Sequence, residues 1–534
     1  MTVSENYDLY RAVIEALLRS DKVLSRQSIN QIKNKICAEF GASRVPSNAD
    51  ILQAAIPEEL EVLAPLMRKR PVRTVSGVSV VAVMTDPQAC PHGKCAYCPG
   101  GPDLGVPQSY TGHEPATMRG IQHRFAPYEQ VEGRLAQLAA IGHNIDKTEL
   151  IVMGGDWCSK PFDYRERFVK GCIDGMNGKI SRSLSEAKRF NEHASVRNVG
   201  MTFETRREWV TEQTINEMLE FGATRVELGV QSLSDETLKR VERGHGVEET
   251  IVATKKLRDS GLKICYHMMP GLPGNTPESD VKEFTTLFAD SQFRPDMFKI
   301  YPTIVVKNTK LYNWWKEGKY SPYTNSQIVD LVAEAVSLMP EYVRIQRMQR
   351  DIPLHQIEAG LSVGNLRELV HKKMRKDGLR NPTIRYREIG HFQMRSKAEI
   401  NAEDIEMIRR NYDAAGGEEI FLSYEEPDLD VIFGFLRLRI PSEEAFRPEI
   451  SDKSCAIIRE LRVYGPMVEI GQRDPEAWQH LGLGEKMIGF AENIGGEEYD
   501  AKRILVNSGI GVKPYYRALG FDDLGPFLSK PVQI

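Results

Sequence analysis

Several features of other protein classes are missing from this sequence of 534 residues. It has no run of about 18 apolar residues, which a membrane-spanning helix would need. Its first residues include Glu5, Asp8 and Arg11, so they lack the apolar core of a signal peptide. The 70 basic and 74 acidic residues give a net charge of -4, so the whole chain is not a basic nucleic-acid binder. These absences predict a soluble cytoplasmic protein.

Cysteine is scarce and unevenly placed. Only eight cysteines occur, a poor disulfide framework for so long a chain, and three of them form a C-x4-C-x2-C cluster at Cys90, Cys95 and Cys98. Three thiolates on one short loop can bind three irons of a cubane cluster and leave the fourth iron open. This arrangement is typical of radical S-adenosylmethionine enzymes. The alternative is a zinc loop in which His92 supplies the fourth ligand.

The chain shows no internal repeat and no low-complexity tract, and its patterns predict four parts. Residues 1–75 are predicted to be a helical, basic extension. Residues 76–340 alternate buried strands with helices, which predicts a parallel sheet, curved or closed into a partial barrel of about six βα units. Residues 341–400 are predicted to be a basic linker, because their charge is strongly positive and then reverses. Residues 401–534 are predicted to be a compact α/β domain.

Glycines at the ends of predicted strands mark a second feature of the barrel. Gly154 and Gly155 follow the second strand, at the place where radical S-adenosylmethionine enzymes have a Gly-Gly-Glu-like turn at the amino group of the cofactor. The ends of barrel strands are where active sites collect. Ordinary βα turns are the alternative interpretation of these glycines.

The last domain carries a pattern of the GNAT acetyltransferases. Gln479, Gly482 and Gly484 match its Q/R-x-x-G-x-G/A loop, where glycines let backbone N–H groups approach a pyrophosphate and the following helix adds a favourable dipole. Tyr515 and Tyr516 precede a Gly-Phe pair that is typical of the end of that fold. A phenol there can protonate the departing thiolate of coenzyme A. A buried aromatic pair is the alternative interpretation.

With these motifs in place, the sequence resembles the catalytic subunit of Elongator, in the stand-alone form found in archaea and some bacteria. The resemblance covers nearly the whole chain. It rests on long matching stretches rather than on isolated residues: 70–74, 90–103, 108–112, 267–270, 299–303, 349–353, 421–425 and 515–517. It implies a fold in which a partial (β/α) radical S-adenosylmethionine barrel is followed by a GNAT-type α/β acetyltransferase domain.

The resemblance also implies an activity and its cofactors. The family makes 5-carboxymethyluridine at the wobble uridine (position 34) of tRNA from acetyl-CoA and S-adenosylmethionine, through a 5′-deoxyadenosyl radical. Cys90, Cys95 and Cys98 would bind a 4Fe-4S cluster. The residues that match acetyl-CoA positions or lie in the same loop are Lys147, Glu460, Leu461, Arg462, Val463, Gln479, Gly482, Leu483, Gly484, Glu485 and Tyr516.

On this interpretation two basic segments hold tRNA phosphates with a salt-sensitive affinity. The predicted contacts are Arg68, Lys69, Arg70, Arg73, Lys372, Lys373, Arg375 and Lys376. A solvated linker is the alternative for the first four. Residues 380–388 have no cysteine where some relatives bind zinc, so no zinc is predicted there. Asp156 and Trp157 also differ from the residues usual in the family, which leaves the local cofactor contact open.

Two further hypotheses compete with this interpretation. One is a protein lysine acetyltransferase in which the iron–sulfur cluster is only structural. The other is an RNA-binding scaffold without catalysis, against which the intact Cys90, Cys95, Cys98, Gly482 and Gly484 argue. The sequence leaves open which tRNAs are used and whether partner subunits exist, and a homodimer is one of the states that it allows.

Overall fold

The computed structural model describes residues 7–20, 24–42, 44–68, 74–451, 454–465 and 482–532. The N-terminal extension is helical, as predicted: α1 (Tyr7–Leu18), α2 (Arg26–Glu39), α3 (Asn48–Gln53) and α4 (Pro57–Met67). Its helices bury apolar residues at helical spacing, such as Leu9, Val13 and Leu17 on α1, in a small core of their own. No helix in these described ranges is long and apolar enough to cross a membrane.

The central part of the chain alternates strands with helices. Its strands are β1 (Ser79–Met84), β2 (Lys147–Met153), β3 (Arg197–Thr205), β4 (Arg225–Gln231), β5 (Lys263–Met268), β6 (Met297–Ile300), β7 (Ile304–Val306), β8 (Arg344–Arg347) and β9 (Ile357–Gly360). Seven of them form one parallel sheet in the order β1-β2-β3-β4-β5-β6-β8, and β7 pairs with β9 in a separate ribbon. Because β1 and β8 are its two edges, the sheet is a half-barrel that stays open between them.

Helices pack around this half-barrel. They are α5 (Pro115–Gln122), α6 (Pro127–Ala140), α7 (Phe162–Asn177), α8 (Leu184–Asn191), α9 (Glu212–Phe221), α10 (Asp235–Arg240), α11 (Glu248–Asp259), α12 (Pro277–Ala289), α13 (Lys310–Lys316), α14 (Asn325–Ser337), α15 (Leu366–Lys376), α16 (Ile384–Arg387) and α17 (Ile389–Gln393). Of these helices, α5, α15 and α16 also line the interior of the half-barrel. Side chains alternate along each strand, so on β4 the apolar Val226 and Leu228 lie in the main core while Arg225 and Glu227 lie on the other, inner face.

The last part of the chain forms a second, mostly antiparallel sheet. Its elements are β10 (Glu406–Ala414), β11 (Gly417–Glu426), β12 (Val431–Ile440), β13 (Cys455–Val463), α18 (Leu483–Asn493), β14 (Arg503–Val506), α19 (Lys513–Ala518), β15 (Asp522–Leu524) and β16 (Phe527–Pro531). The strand order is β10-β11-β12-β13-β14-β16-β15, and only the pair β13–β14 is parallel.

A buried layer of charge joins the two sheets. Asp296 precedes β6 of the half-barrel and is fully buried, and its carboxylate accepts hydrogen bonds from Arg459 of β13 at 2.7 and 2.9 Å. Arg459 also bonds Glu419 of β11 at 2.7 Å. Asp259, at the end of α11, accepts from Arg439 of β12 in the same layer. These pairs fix the second sheet against the rim of the half-barrel where the strands begin.

The predicted fold class is confirmed: a partial radical S-adenosylmethionine barrel, a separate α/β domain and a helical N-terminus. The seventh strand, Arg344–Arg347, lies past residue 340, within the segment predicted as a basic linker. The four-part division of the chain stays a prediction. No strand was predicted at β10, because its exposed and polar residues suit an edge strand but hide its alternation.

Candidate functional site

The three clustered cysteines lie on one loop after β1 and face one small chamber. This cluster chamber has a volume of about 140 Å³ and is lined by Cys90, Cys95, Cys98, Gly155 and Arg243, among others. Gln108 donates from Nε2 to the Cys98 sulfur at 3.2 Å. The donor set is three thiols on one cavity wall at the end of a parallel strand, which fits an iron–sulfur cluster with one open iron.

The electrostatics of the loop favour a thiolate at Cys95 and a neutral thiol at Cys90. Burial alone would raise the pKa of Cys95, but a hydrogen bond with His92 and the positive charges of Arg243 and Arg206 outweigh it and lower its pKa to about 6. Burial raises the pKa of Cys90 to about 12, so that thiol ionises on binding a metal. The His92 Nε2 atom lies 3.3 Å from the Cys95 sulfur and 3.0 Å from Arg206 Nη1.

The double glycine closes the chamber from the neighbouring strand. Gly154 and Gly155 follow β2 with φ angles of 141° and 91°, in the region that favours glycine. A Cβ atom added to Gly154 would lie 2.0 Å from Thr85 Oγ1, so the turn packs directly on the end of β1. The next residue, Asp156, is buried and its Oδ1 accepts from Thr205 Oγ1 at 3.1 Å.

A larger cavity lies beside the cluster chamber, on the inner face of the half-barrel. This barrel cavity has a volume of about 1260 Å³, and its lining includes Glu149, Arg225, Arg367 and Arg385. The two spaces share lining residues, among them Glu227 and Arg347. The chamber at the cysteines and the interior of the half-barrel are therefore neighbours rather than separate pockets on opposite faces.

A network of buried charges stands between the two spaces. Lys299 of β6 pairs with Glu227 and with Glu204, the latter at 3.0 Å. His267 Nε2 lies 2.8 Å from Glu227 Oε2, and Tyr110 donates to Glu204 at 3.0 Å. Burial alone would raise the pKa of Glu227, but the charges of Lys299 and His267 hold it well below its usual range.

Glu227, Cys265 and His267 place three ligand-type atoms within 4.8 Å of one another. The Lys299 ammonium already pairs with the Glu227 carboxylate. Burial also raises the pKa of Cys265 well above its ordinary value, which keeps it a neutral thiol. The group is therefore a neutralised charge network and does not form a metal centre on this geometry.

The opposite rim of the half-barrel faces the second sheet. Parallel strands begin at one rim and end at the other, so Lys147 at the start of β2 and the cysteine loop lie at opposite rims. Two residues further along β2, Glu149 pairs with Arg225 and lies 3.8 Å from Arg462 of β13. The predicted acetyl-CoA residues Lys147 and Arg462 thus lie at the same rim.

A β-bulge decides which side chains of β13 face the half-barrel. The register shifts so that Arg437 opposes Glu460 while Leu438 opposes Ile458, which leaves Arg459 as the extra residue. Arg459 and Glu460 can then both point toward the half-barrel, where Glu460 accepts from Arg437 Nε at 2.9 Å. On the other side, β14 pairs with residues 455–458 of β13, so among the described residues the edge of 460–463 has no strand partner there.

The predicted glycine loop and the paired tyrosines meet at this open edge. A Cβ atom added to Gly484 would lie 3.0 Å from Tyr515 Oη and 3.8 Å from the Leu461 side chain. Leu483, Gly484 and Glu485 form the first turn of α18, which Gly482 precedes with a φ of 71°. Gln479 lies outside the described residues.

The two tyrosines differ in their surroundings. The Tyr515 side chain is exposed at 38%, and burial followed by the charge of Glu485 raises its pKa to about 12. Tyr516 is buried and packs edge-on against Phe521. Tyr515 is therefore a neutral phenol that a ligand can reach, whereas Tyr516 has the character of a core residue.

The predicted tRNA-binding residues fall into three groups. Arg68 donates to the Gly142 carbonyl at 2.8 Å, so it attaches the N-terminal helices to the half-barrel. Lys69, Arg70 and Arg73 lie outside the described residues. Lys372, Lys373, Arg375 and Lys376 lie on the last turns of α15, where Lys372, Arg375 and Lys376 are exposed and Lys373 pairs with Asp330 at 3.0 Å.

Sequence reasoning missed the charged residues around the cysteines and inside the half-barrel. Arg206 follows β3 directly, and Glu227 lies inside a buried strand. Their signal was present: a charge just after a strand, and charges at alternate positions within a strand. Arg243, whose Nη1 lies 3.7 Å from the Cys95 sulfur, comes from a loop 148 residues away and carried no such signal.

Comparisons with known proteins match the whole chain. The ELP3 N-terminal domain matches residues 7–75, the Radical SAM superfamily 86–286 and the Radical_SAM C-terminal domain 295–376. The tRNA uridine(34) acetyltransferase of Methanocaldococcus infernus is 47% identical over 98% of this chain and 99% of its own length. Elongator complex protein 3 of Homo sapiens is 40% identical over 97% of this chain and 96% of its own length. The solved structure of Methanocaldococcus infernus Elp3 with an N-terminal deletion (1–46) superposes with a TM-score of 0.77 at 43% identity, covering 86% of this chain and all of that one.

Proposed function

Because the chain belongs to the Elongator complex protein 3 family, we propose that it is a tRNA-modifying acyltransferase that acts on uridine 34 and installs a carboxymethyl group at carbon 5. Acetyl-CoA and S-adenosylmethionine are the proposed cosubstrates. The observation that carries the proposal is the cluster chamber. Three cysteines line it, and it adjoins the interior of the half-barrel at Glu227 and Arg347. Since tRNA is the substrate, we place the activity in the cytoplasm.

Cys90, Cys95 and Cys98 would hold the iron–sulfur cluster, and the reduced cluster would supply radical chemistry from bound S-adenosylmethionine. Such chemistry is needed because carbon 5 of uracil is a poor nucleophile for simple acyl transfer. A carboxymethyl group is also joined through the methyl carbon of acetate and not through its carbonyl. Arg206 and Arg243 hold positive charge at the Cys95 sulfur, which balances the negative charge of the thiolates.

The second domain is the proposed acetyl-CoA site. Within the part of the chain that the structure describes, the backbone edge of residues 460–463 has no strand partner on one side, and an extended pantetheine arm can add there as a strand would. The N-terminus of α18, at Leu483, Gly484 and Glu485, is suited to a pyrophosphate. Lys147 and Arg462 contribute positive charge at the facing rim. Tyr515 is the better placed proton donor to the thiolate, and Tyr516 supports it from the core.

The exposed cations of α15 are the proposed outer contacts for tRNA. Lys372, Arg375 and Lys376 face solvent, and their attraction to phosphates is expected to weaken with salt. Lys373 contributes less, since it already pairs with Asp330 and Asp377. Lys69, Arg70 and Arg73 are kept as proposed contacts on the grounds of sequence alone.

Mass spectrometry of nucleosides tests the proposal. Anaerobically reconstituted protein is incubated with tRNA, acetyl-CoA, S-adenosylmethionine and a chemical reductant that supplies one electron to the cluster, and the tRNA is digested and analysed. We expect 5-carboxymethyluridine at position 34 with the wild type and none with the triple variant C90S/C95S/C98S. Equal product from the triple variant would reject the mechanism. Acetylation of a peptide without tRNA, and without modified uridine, would favour a lysine acetyltransferase instead.

A further inference from the structure

Two arginines line the barrel cavity without a carboxylate partner. Arg367 lies near the start of α15 and Arg385 on α16, and both are half-buried. Arg367 donates to the backbone carbonyls of Ile345 and Gln346, each at 3.2 Å. Within the described ranges, no carboxylate oxygen lies within 4.0 Å of either guanidinium. Both groups are therefore charged donors with unused hydrogen-bonding capacity.

The carboxylates of this region already have other partners. Glu388 pairs with Arg344 at 2.6 Å and also accepts from Ser76, and Asp351 pairs with Arg347. On the opposite wall of the cavity Glu149 and Glu227 are held by Arg225. Glu368, the neighbour of Arg367, is exposed and accepts from Asn365. The charge of Glu388 acts favourably on both arginines from a distance, but no carboxylate in this described part of the chain pairs directly with either of them.

The two arginines also repel one another. Burial lowers the pKa of Arg367 to about 9, and the charge of Arg385 is the next cause. Burial and then the charge of Arg344 lower the pKa of Arg385. Among the side chains that line the cavity, seven are arginine or lysine and four are aspartate or glutamate, so its charge is positive. An anion between the two guanidiniums would relieve this repulsion.

We propose that Arg367 and Arg385 bind a phosphodiester group of tRNA inside the barrel cavity, next to the nucleotide to be modified. Planar guanidiniums bind phosphate oxygens through paired hydrogen bonds. A base must leave its stack before an enzyme can act on it, and this cavity is wide and adjoins the cluster chamber at Glu227 and Arg347. This inference rests on the proposed function. Arg367 and Arg385 would contact the target nucleotide itself, whereas the exposed cations of α15 contact tRNA outside the cavity.

Coenzyme A also carries phosphates, so the experiment must distinguish the two sources. The double variant R367Q/R385Q is compared with R182Q/R189Q, which removes the same charge from exposed positions on and just before α8. Binding of a labelled anticodon stem–loop is followed by fluorescence anisotropy at several salt concentrations. Binding of coenzyme A is measured by titration calorimetry. Thermal unfolding shows whether each variant is folded.

We expect R367Q/R385Q to bind the stem–loop about tenfold more weakly, since charge-assisted hydrogen bonds are lost. The slope of log K against log salt should become shallower by about 0.7, the value for one phosphate of a single strand. The control variant R182Q/R189Q should match the wild type in stem–loop affinity and in the salt slope. Coenzyme A binding should be unchanged, and the melting temperature should stay close to that of the wild type, because the two hydrogen bonds lost at Arg367 offset the repulsion that is removed.

Unchanged stem–loop affinity and salt slope in R367Q/R385Q would overturn the site. Weakened coenzyme A binding with normal stem–loop binding would also overturn it, because the phosphate would then belong to the cosubstrate. The proposed function fails in a different way. A wild type that binds tRNA through these arginines but forms no carboxymethyluridine would keep the site and reject the reaction.

Discussion

At the scale of single residues, Asp156 is a buried acid beside the cysteine loop. Its Oδ1 accepts one hydrogen bond from Thr205, while Oδ2 has no partner among the residues described. Burial, and then the charge of Glu208, raises its pKa from 3.8 to about 6. The sequence identified this position only as a departure from the residue usual in the family. The structure shows why it should respond to pH.

Replacing Asp156 by asparagine should raise stability in a pH-dependent way. Between pH 3.8 and 6 the folded wild type keeps a proton that the unfolded chain has released, so the wild type loses stability as pH rises through this window. The full effect is at most about 3 kcal/mol, from ~1.4 kcal/mol per pKa unit. Urea unfolding of the metal-free protein at pH 4, 5, 6 and 7 measures it. A difference between D156N and wild type that does not change with pH would contradict this account.

At the scale of elements, the turn after β2 is strained for any residue other than glycine. Gly154 has a φ of 141°, and an added Cβ would meet Thr85 at 2.0 Å. Gly489, inside α18, is different, because an added Cβ there would meet nothing within 4 Å. Replacing glycine by alanine should therefore lower the free energy of unfolding at Gly154 and raise it at Gly489.

We expect G154A to lower the free energy of unfolding by about 2–4 kcal/mol, from backbone strain and the clash with Thr85. G489A should raise it by about 0.5–1 kcal/mol, the difference in helix propensity between glycine and alanine. Chemical unfolding of both variants gives the comparison. If G154A proved as stable as the wild type, the described turn geometry would be wrong.

At the scale of the whole molecule, buried charge holds the two catalytic domains in one arrangement. Burial alone would raise the pKa of Asp296, but Arg459, Arg258 and Arg437 outweigh it and hold that pKa well below its usual range. Asp296 therefore stabilises the fold at neutral pH. This contribution is expected to be lost as pH falls below about 4, where the unfolded carboxyl takes up its proton.

Replacing Asp296 by asparagine should cost about 3–5 kcal/mol at pH 7, because buried arginines lose their counter-charge. The control is Glu498→Gln, which breaks the exposed pair with Arg409 at 2.6 Å and should cost less than about 1 kcal/mol. Chemical denaturation of both variants measures the two values. Equal losses in the two variants would show that the layer between the domains does not hold them together.

The parts of this protein that depend on neighbours in the chain were predictable. Buried strands alternating with helices were predicted over residues 76–340, and β1 to β7 lie there. The cysteine spacing also indicated a loop after a strand, where the structure has it. On β4 charged and apolar positions alternate, so its two faces differ in sequence, but the partners of those charges across the half-barrel could not be predicted from the strand itself.

The amino-acid sequence by itself determined the elements, the fold class and the cysteine loop, because spacing and local preference act over a few residues. Only the tertiary structure decided which charges meet. Arg243 lies beside Cys95 although 148 residues separate them in the chain, and Arg459 binds Asp296 although 163 residues separate that pair. Among the described residues Arg367 and Arg385 have no paired carboxylate, because Glu388 and Asp351 pair with other arginines. Such pairing depends on distance and burial in three dimensions, which no local pattern contains.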